Sequence, residues 1–227
     1  NNALIANAER LLKSERQRYL QLHPTSARLA EEARKHFLYG VPMHWMNDWG
    51  TPTPLFVREA RGAHFTCADN IDYTDFCLGD TGAMFGHSPE PVARAMEEQA
   101  RRGFTAMLPG VNTPDVGAAL ADQFGLPYWQ FATTATDANR FVLRWARAVT
   151  GRTKLLVFDG CYHGTVDDTL VDCVIEDGKT VSQTVSRASL LGQTVDLGLN
   201  TVAVDFNDLA AVERELASGE IACLLTE

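Results

Sequence analysis

Two short groups of residues have the most chemistry to offer: Thr134, Ala135 and Thr136, and then Cys161, Tyr162 and His163 inside the run 160–164. The first group precedes a segment, 137–149, in which Phe141, Val142, Trp145 and Val149 recur at helical spacing. The leading backbone N–H groups of a helix have no partner within it. The aligned peptide dipoles add roughly half a positive charge there, so a phosphate binds such an end readily. Small side chains at 134–136 allow close approach. The second group offers an aromatic face for a planar ring, with a histidine beside it. A phosphate joined to a flat ring describes few ligands. A rival chemistry is also written there: Cys161 and His163 flank Tyr162 on what reads as an exposed turn, and a thiol beside a histidine is a nucleophile once its pKa falls.

These groups need elements to hold them. The apolar run 128–131 predicts a strand feeding the helix, Gly151 sits where a helix-closing glycine belongs, and 154–158 predicts a buried strand with 160–164 as the turn after it. That turn lies at the carboxyl end of a strand, where open α/β sheets hold their ligands. Further on, 165–200 reads as irregular, with Asp167 and Asp168 and weak strand character near 170–175. Residues 201–206 predict a strand, Asn207 caps a helix to about 217, and 221–225 predict another strand. Strand-helix-strand repetition implies a mainly parallel sheet with right-handed crossovers.

Upstream, 3–22 is an amphipathic helix with Leu4, Ile5, Ala8, Leu11, Leu12, Tyr19 and Leu22 near one face, closed by His23 and Pro24. Ser26 is expected to cap a second helix to about 37. Residues 43–50, with two tryptophans and two methionines, read as a loop. Short alternating runs at 55–58, 63–67 and 71–76 read as an antiparallel meander. A three-glycine loop at 78–87 and helices at 89–102 and from Thr113 to Gly125 complete the chain. The division this suggests is a helical and antiparallel N-terminal segment, 1–88, and the start of a larger domain, 89–227.

Composition narrows the function classes. At 227 residues and 45% hydrophobic content the chain can bury a sizeable core. A formal charge of −9 and the lack of a basic run exclude an electrostatic footprint for nucleic acid. No apolar run approaches the roughly 20 residues of a membrane span, so no membrane partner is expected. Five cysteines without a C-x-x-C pair suggest reduced, buried thiols and a cytoplasmic setting. The absence of an initiator Met and the stop after the apolar run 221–225 read as a fragment.

Taken together, the order strand, T-x-T-D-A-N, helix, A-x-x-x-T-G-R-x-K, strand, G-C-Y-H-G resembles the class III aminotransferases, pyridoxal-phosphate enzymes of fold type I, with glutamate-1-semialdehyde aminomutase as the nearest subgroup. Residues 54–61 (PLFVREAR), Asp75-Phe76, Gly86-His87 and 225–227 extend the likeness over roughly 35–227. The resemblance implies a three-layer α/β/α fold with a mainly parallel sheet and pyridoxal 5′-phosphate as cofactor. It also implies a small-molecule amino donor and a carbonyl acceptor, two half-reactions of the ping-pong kind, and a homodimer. It assigns the cofactor phosphate to the N–H groups of Ala135 and Thr136, helped by the Thr134 and Thr136 hydroxyls, lays Tyr162 over the pyridine ring and leaves His163 as a supporting group. The family's Schiff-base lysine would lie beyond Glu227, because Lys13, Lys35, Lys154 and Lys179 stand in no matching context; 1–227 alone is then expected to be inactive. An intramolecular 1,2-aminomutase and a non-catalytic binding or dimerisation module are the alternatives.

The departures concern the substrate. The family's N-S-G-T-E-A is here T-T-A-T-D-A, so Ala135 implies an ordinary backbone where glycine would be freest. By alignment on Gly86-His87, the aromatic of the aminomutase substrate site falls near Asp80. By alignment on Pro54-Leu55-Phe56, the arginine that grips a substrate carboxylate in some relatives falls near Trp45 or Met46. Trp45 and Asp80 are therefore the candidate substrate residues, and neither is basic.

Overall fold

Pro24 ends one helix and begins the next. The computed structural model describes residues 2–80, 82–104, 106–176, 179–188 and 190–226, and the chain divides into two compact units, Asn1–Pro109 and Gly110–Glu227. In the first unit α1 (Asn2–Leu22) gives way at Pro24 to α2 (Pro24–Ala33). Ser26 lies inside α2 and does not cap it. A carboxylate from far along the chain does so: Asp69 accepts from Thr25 N at 2.6 Å, Ser26 N at 3.1 Å and Ser26 Oγ at 2.6 Å. Burial alone would raise the pKa of Asp69, but these hydrogen bonds outweigh it and hold the carboxyl below its usual value.

The three short runs form the expected meander, β1 (Val57–Arg61), β2 (His64–Cys67) and β3 (Asp72–Thr74), paired in the order β1-β2-β3. Tyr73 joins it to the helices, since its hydroxyl lies 2.5 Å from Nε2 of the buried His23 and Nδ1 of that ring lies 2.7 Å from Tyr19 O. The helix α3 (Glu90–Arg102) follows the glycine loop. The apolar stripe of α1 is left largely uncovered within this unit, with Leu4 at 73% exposure.

The second unit opens with α4 (Thr113–Phe124), and α5 (Ala135–Thr150) follows. The strand expected at 128–131 is not formed. A strand exists through the ladder it shares with a neighbour, and none of the described strands runs beside it. Trp129 instead donates from Nε1 to Leu126 O at 2.9 Å and tilts its ring on Phe124, folding the segment back on the end of α4. β4 (Lys154–Phe158) has the expected bounds. The stretch read as irregular contains an antiparallel hairpin, β5 (Val171–Glu176) and β6 (Lys179–Ser186). β7 (Thr201–Val204), α6 (Leu209–Ala217) and β8 (Ile221–Leu224) complete the unit. Asp208, not Asn207, caps α6, accepting from Ala211 N at 3.0 Å, while Asn207 takes a left-handed φ of 69° to turn the chain.

The sheet order is β7-β4-β8, all parallel, so the β7-α6-β8 crossover passes over β4 and the two strands it joins are not neighbours. Leu155, Leu156 and Val157 of β4 are all fully buried, as a central parallel strand covered on both faces requires. Leu156 packs with Ala211 of α6 on one face. On the other, Leu155 meets Leu143 of α5, and Val157 meets Val171 and Cys173 of the hairpin. This is a three-layer α/β/α arrangement with β4 at its centre. Among the described residues no helix is long and apolar enough to cross a membrane.

Candidate functional site

The first turn of α5 is built by its own sequence. Thr134 is extended (φ −136°, ψ 153°), and its Oγ1 accepts from Asp137 N at 3.1 Å while Ala138 N donates to Thr134 O at 3.1 Å. The Thr134 hydroxyl also donates to Asp137 Oδ2 at 3.1 Å, so the Asp137 side chain orients the capping hydroxyl. Two donors remain. The N–H groups of Ala135 and Thr136 have no acceptor among the described residues. With the helix dipole behind them, these unpaired donors give the end of α5 the positive potential that suits an anion.

The turn after β4 lies against this helix end. Asp159 Oδ1 accepts from Cys173 N at 2.7 Å, Cys161 O accepts from Arg187 Nη2 at 3.3 Å, His163 O accepts from Asn139 Nδ2 at 3.0 Å, and Thr165 N donates to Thr136 Oγ1 at 3.0 Å. Every second residue of 159–165 is thus tied to the hairpin or to α5. Tyr162, between two of the ties, is 62% exposed, whereas His163 is only 6% exposed. His163 is therefore not the open-turn residue that a thiol-histidine pair would need, because Asn139 draws its backbone inward. Gly164 closes the turn with φ 78°, and a Cβ there would overlap Thr136 Oγ1 and lie 3.1 Å from Thr136 N. Only the missing side chain at 164 leaves the space beside that N–H open.

The carboxyl ends of β4, β7 and β8 frame a cavity of about 320 Å³ lined by Phe158, Asp159, Gly160, Cys161, Phe206 and Thr226. Phe158 and Phe206 meet edge to face at 5.2 Å. Beside it, ligand atoms of Asp159, Cys173 and Asp205 lie within 4.8 Å of one another. Burial, reinforced by the two carboxylates, pushes the Cys173 thiol up to about 12, so it stays protonated at neutral pH and is a poor metal ligand there.

The two candidate substrate residues lie in the first unit. Trp45 meets Trp49 edge to face at 6.4 Å and lines an apolar cavity of about 630 Å³ with Pro42, Met46, Phe56 and Phe65. Asp80 has a left-handed φ of 57° and accepts from Cys77 Sγ at 3.6 Å. The loop that carries it is anchored by Asp75, whose carboxylate meets His87 Nε2 at 2.7 Å and accepts from Cys77 N and Leu78 N, both at 2.9 Å. The bond to His87, followed by the two backbone donors, holds the Asp75 carboxyl below its ordinary value.

Sequence reasoning missed the residues that hold the turn: Asp159, Asn139, Arg187 and its partner Asp172. Asn139 was visible as the last letter of T-x-T-D-A-N. Arg187 follows β6, an element that had not been foreseen, and nothing local marks it.

Comparison with known proteins places this geometry in a family. Residues 45–227 match the model of the family described as aminotransferase class-III. A glutamate-1-semialdehyde 2,1-aminomutase of Methanocella arvoryzae is 33% identical over 207 residues, which is 89% of this chain and 46% of that protein. A solved glutamate-1-semialdehyde-aminomutase from Pseudomonas aeruginosa superposes with a TM-score of 0.90 at 49% identity, covering 98% of this chain and 48% of that one. A variant of it has been solved in complex with PMP. An omega-transaminase from Sphaerobacter thermophilus superposes with a TM-score of 0.74 at 27% identity, over 88% of this chain and 46% of its own. The chain thus spans about half the length of the curated relatives it matches. On the match over 45–227, the chain belongs to the class III aminotransferase family, whose solved relatives have the type I fold of pyridoxal-phosphate enzymes.

Proposed function

We propose that this chain forms the phosphate and ring cradle of a pyridoxal-phosphate enzyme that moves an amino group between a small-molecule amino donor and a carbonyl acceptor in two half-reactions of the ping-pong kind. One observation carries the reading: Ala135 and Thr136 leave two N–H groups without an acceptor among the described residues, and the Thr136 N–H lies beside the bare Cα of Gly164, two residues from the exposed Tyr162. The residues present fit the group, since two helix-terminal donors and an exposed aromatic side chain occur on segments tied together by Thr165 N donating to Thr136 Oγ1 and Asn139 donating to His163 O. Ala135 N and Thr136 N would hold the phosphate. The Thr136 hydroxyl, whose oxygen accepts from Thr165 N, keeps its hydrogen to donate. Tyr162 would lie on the pyridine ring, and His163, buried behind it, would support the turn. When bound, the cofactor supplies an electron sink for the carbon that loses or gains the amino group. The chain's own part is to fix the phosphate and the ring plane, so that the reacting carbon meets its base in one orientation.

On this reading residues 1–227 alone transfer no amino group. Lys13, Lys35, Lys154 and Lys179 stand in no sequence context that matches the family's lysine, and Lys154 pairs with Glu220 at 2.7 Å. Trp45 and Asp80 would belong to the substrate side, which favours an amine with apolar or aromatic character over a dicarboxylate. A homodimer is supported by the exposed apolar stripe of α1, Leu4, Ile5, Leu11 and Leu12. The exposed free thiol of Cys77 suits a reducing cytoplasm.

A second reading, an intramolecular 1,2-aminomutase, is favoured by the 49% identity to the aminomutase of Pseudomonas aeruginosa. The test is titration of the full-length protein with pyridoxal phosphate followed by visible absorbance, then incubation with single amines. A cofactor spectrum that disappears when an amine alone is added, with release of a carbonyl product, supports transfer between molecules. Isomerisation of an amino aldehyde with no second substrate supports the aminomutase, and no absorbance change at all would refute both.

A further inference from the structure

We propose that Arg187, with Asn139, is a positioning residue for Tyr162. The inference rests on the cradle reading above and deepens it. Tyr162 occupies a turn with a glycine two residues to either side, Gly160 at φ 72° and Gly164 at φ 78°. Such a backbone does not hold a ring still by itself. It is held from two directions. Arg187 donates from Nη2 to Cys161 O at 3.3 Å and from Nε to Asp172 Oδ1 at 3.1 Å, while its own N–H donates to Leu170 O at 3.0 Å. On the other side of Tyr162 in the chain, Asn139 donates from Nδ2 to His163 O at 3.0 Å. The carbonyls immediately before and after Tyr162 are therefore each fixed by one side chain, one from the hairpin and one from α5.

The two ties differ in kind. Arg187 brings a charge-assisted fork that its pairing with Asp172 keeps in one orientation, and the side chains of that pair are 23% and 39% exposed. Asn139 sits one turn along α5 from Ala135 and Thr136, so its tie sets the distance between the phosphate end and the ring. A planar ligand gripped at its phosphate needs its ring face at a set position, and the two carbonyl ties supply that position. Asp172 is open enough to water to stay solvated when Arg187 is replaced, so Arg187→Met should fold.

The test uses the protein reconstituted with pyridoxal phosphate and compares Arg187→Met, Arg187→Lys and Asn139→Asp with the unchanged chain. Two readouts are taken besides activity: the cofactor dissociation constant with its visible circular dichroism, and amide hydrogen exchange over 160–165 without cofactor. Arg187→Met is expected to speed exchange in that segment, weaken cofactor binding roughly tenfold and reduce the dichroic band, as loss of a supporting shell does to a positioned group. Asn139→Asp, nearly isosteric, should do the same, and Arg187→Lys should recover little because a single ammonium cannot make the fork. Faster exchange with unchanged binding and dichroism in both Arg187→Met and Asn139→Asp would overturn the proposal by leaving the ties merely structural. Failure of the unchanged chain to bind the cofactor would instead refute the cradle reading.

Discussion

Replacing Gly164 by alanine tests the cradle at its tightest point. The added Cβ would overlap Thr136 Oγ1 and lie 3.0 Å from Thr136 Cα and 3.1 Å from its N, at a φ of +78°. The left-handed backbone costs an L residue about 1–2 kcal/mol. Rotating the Thr136 hydroxyl away forfeits its bond from Thr165 N, about 0.5–1.5 kcal/mol more. Together the fold should lose about 1.5–3.5 kcal/mol, a clear shift in the denaturant midpoint. The methyl group also shadows the Thr136 N–H. Losing one bond to a charged phosphate is worth about 1.5–3 kcal/mol, so pyridoxal phosphate should bind roughly ten- to a hundredfold more weakly. Gly151→Ala is the control. It lies at the other end of α5 at φ +69° with nothing within 4 Å of its Cβ, so it has the strain without the collision. It should lower stability by about 1–2 kcal/mol and leave affinity alone. The assay is urea denaturation of both variants beside a cofactor titration. Equal cofactor affinity in Gly164→Ala and the unchanged chain would refute the reasoning.

Asp69→Ala removes the only side-chain cap of α2 among the described residues and should cost about 1–2 kcal/mol, read as a lower denaturation midpoint. Asp75 has its folded pKa depressed by His87 and two backbone donors. Its contribution is therefore complete above the unfolded value near 3.8 and lost as pH falls through the lower folded value. Amide exchange over 75–87, compared with Asp75→Asn, should show the loop loosening only below about pH 4. Thiol alkylation mapped by mass spectrometry should mark Cys77 first, with Cys67 and Cys173 last: Cys67 is buried, and Cys173 is both buried and held protonated up to about 12.

Where structure was set by local chemistry, the sequence could be read. β4 has the bounds expected from its apolar run, because a strand buried on both faces advertises itself without alternation. α5 begins with the Thr134 cap and ends before Gly151, both signals carried within the segment. Where a distant partner decided, the reading failed. Asp69 caps α2 from more than forty residues away. The hairpin β5–β6 mixes threonine and serine with valine. Part of its anchoring comes from Thr184 Oγ1 accepting Ala203 N at 2.8 Å across to β7, a bond invisible in either segment alone. Residues 128–131 have strand composition but no described neighbour to pair with. At the candidate site, the unpaired helix-start donors Ala135 and Thr136 and the exposed Tyr162 were readable from type and spacing. Arg187 and Asn139 act through carbonyls that carry no sequence signal.

The most direct measurement is the amide chemical shift of Ala135 and Thr136 during titration with pyridoxal phosphate and, separately, with pyridoxal, which has the ring without the phosphate. If the end of α5 holds the phosphate, both amides move strongly with the first ligand and hardly at all with the second. If they stay still with pyridoxal phosphate while other amides move, the phosphate is held elsewhere and the cradle at Ala135, Thr136 and Gly164 is not the cofactor site.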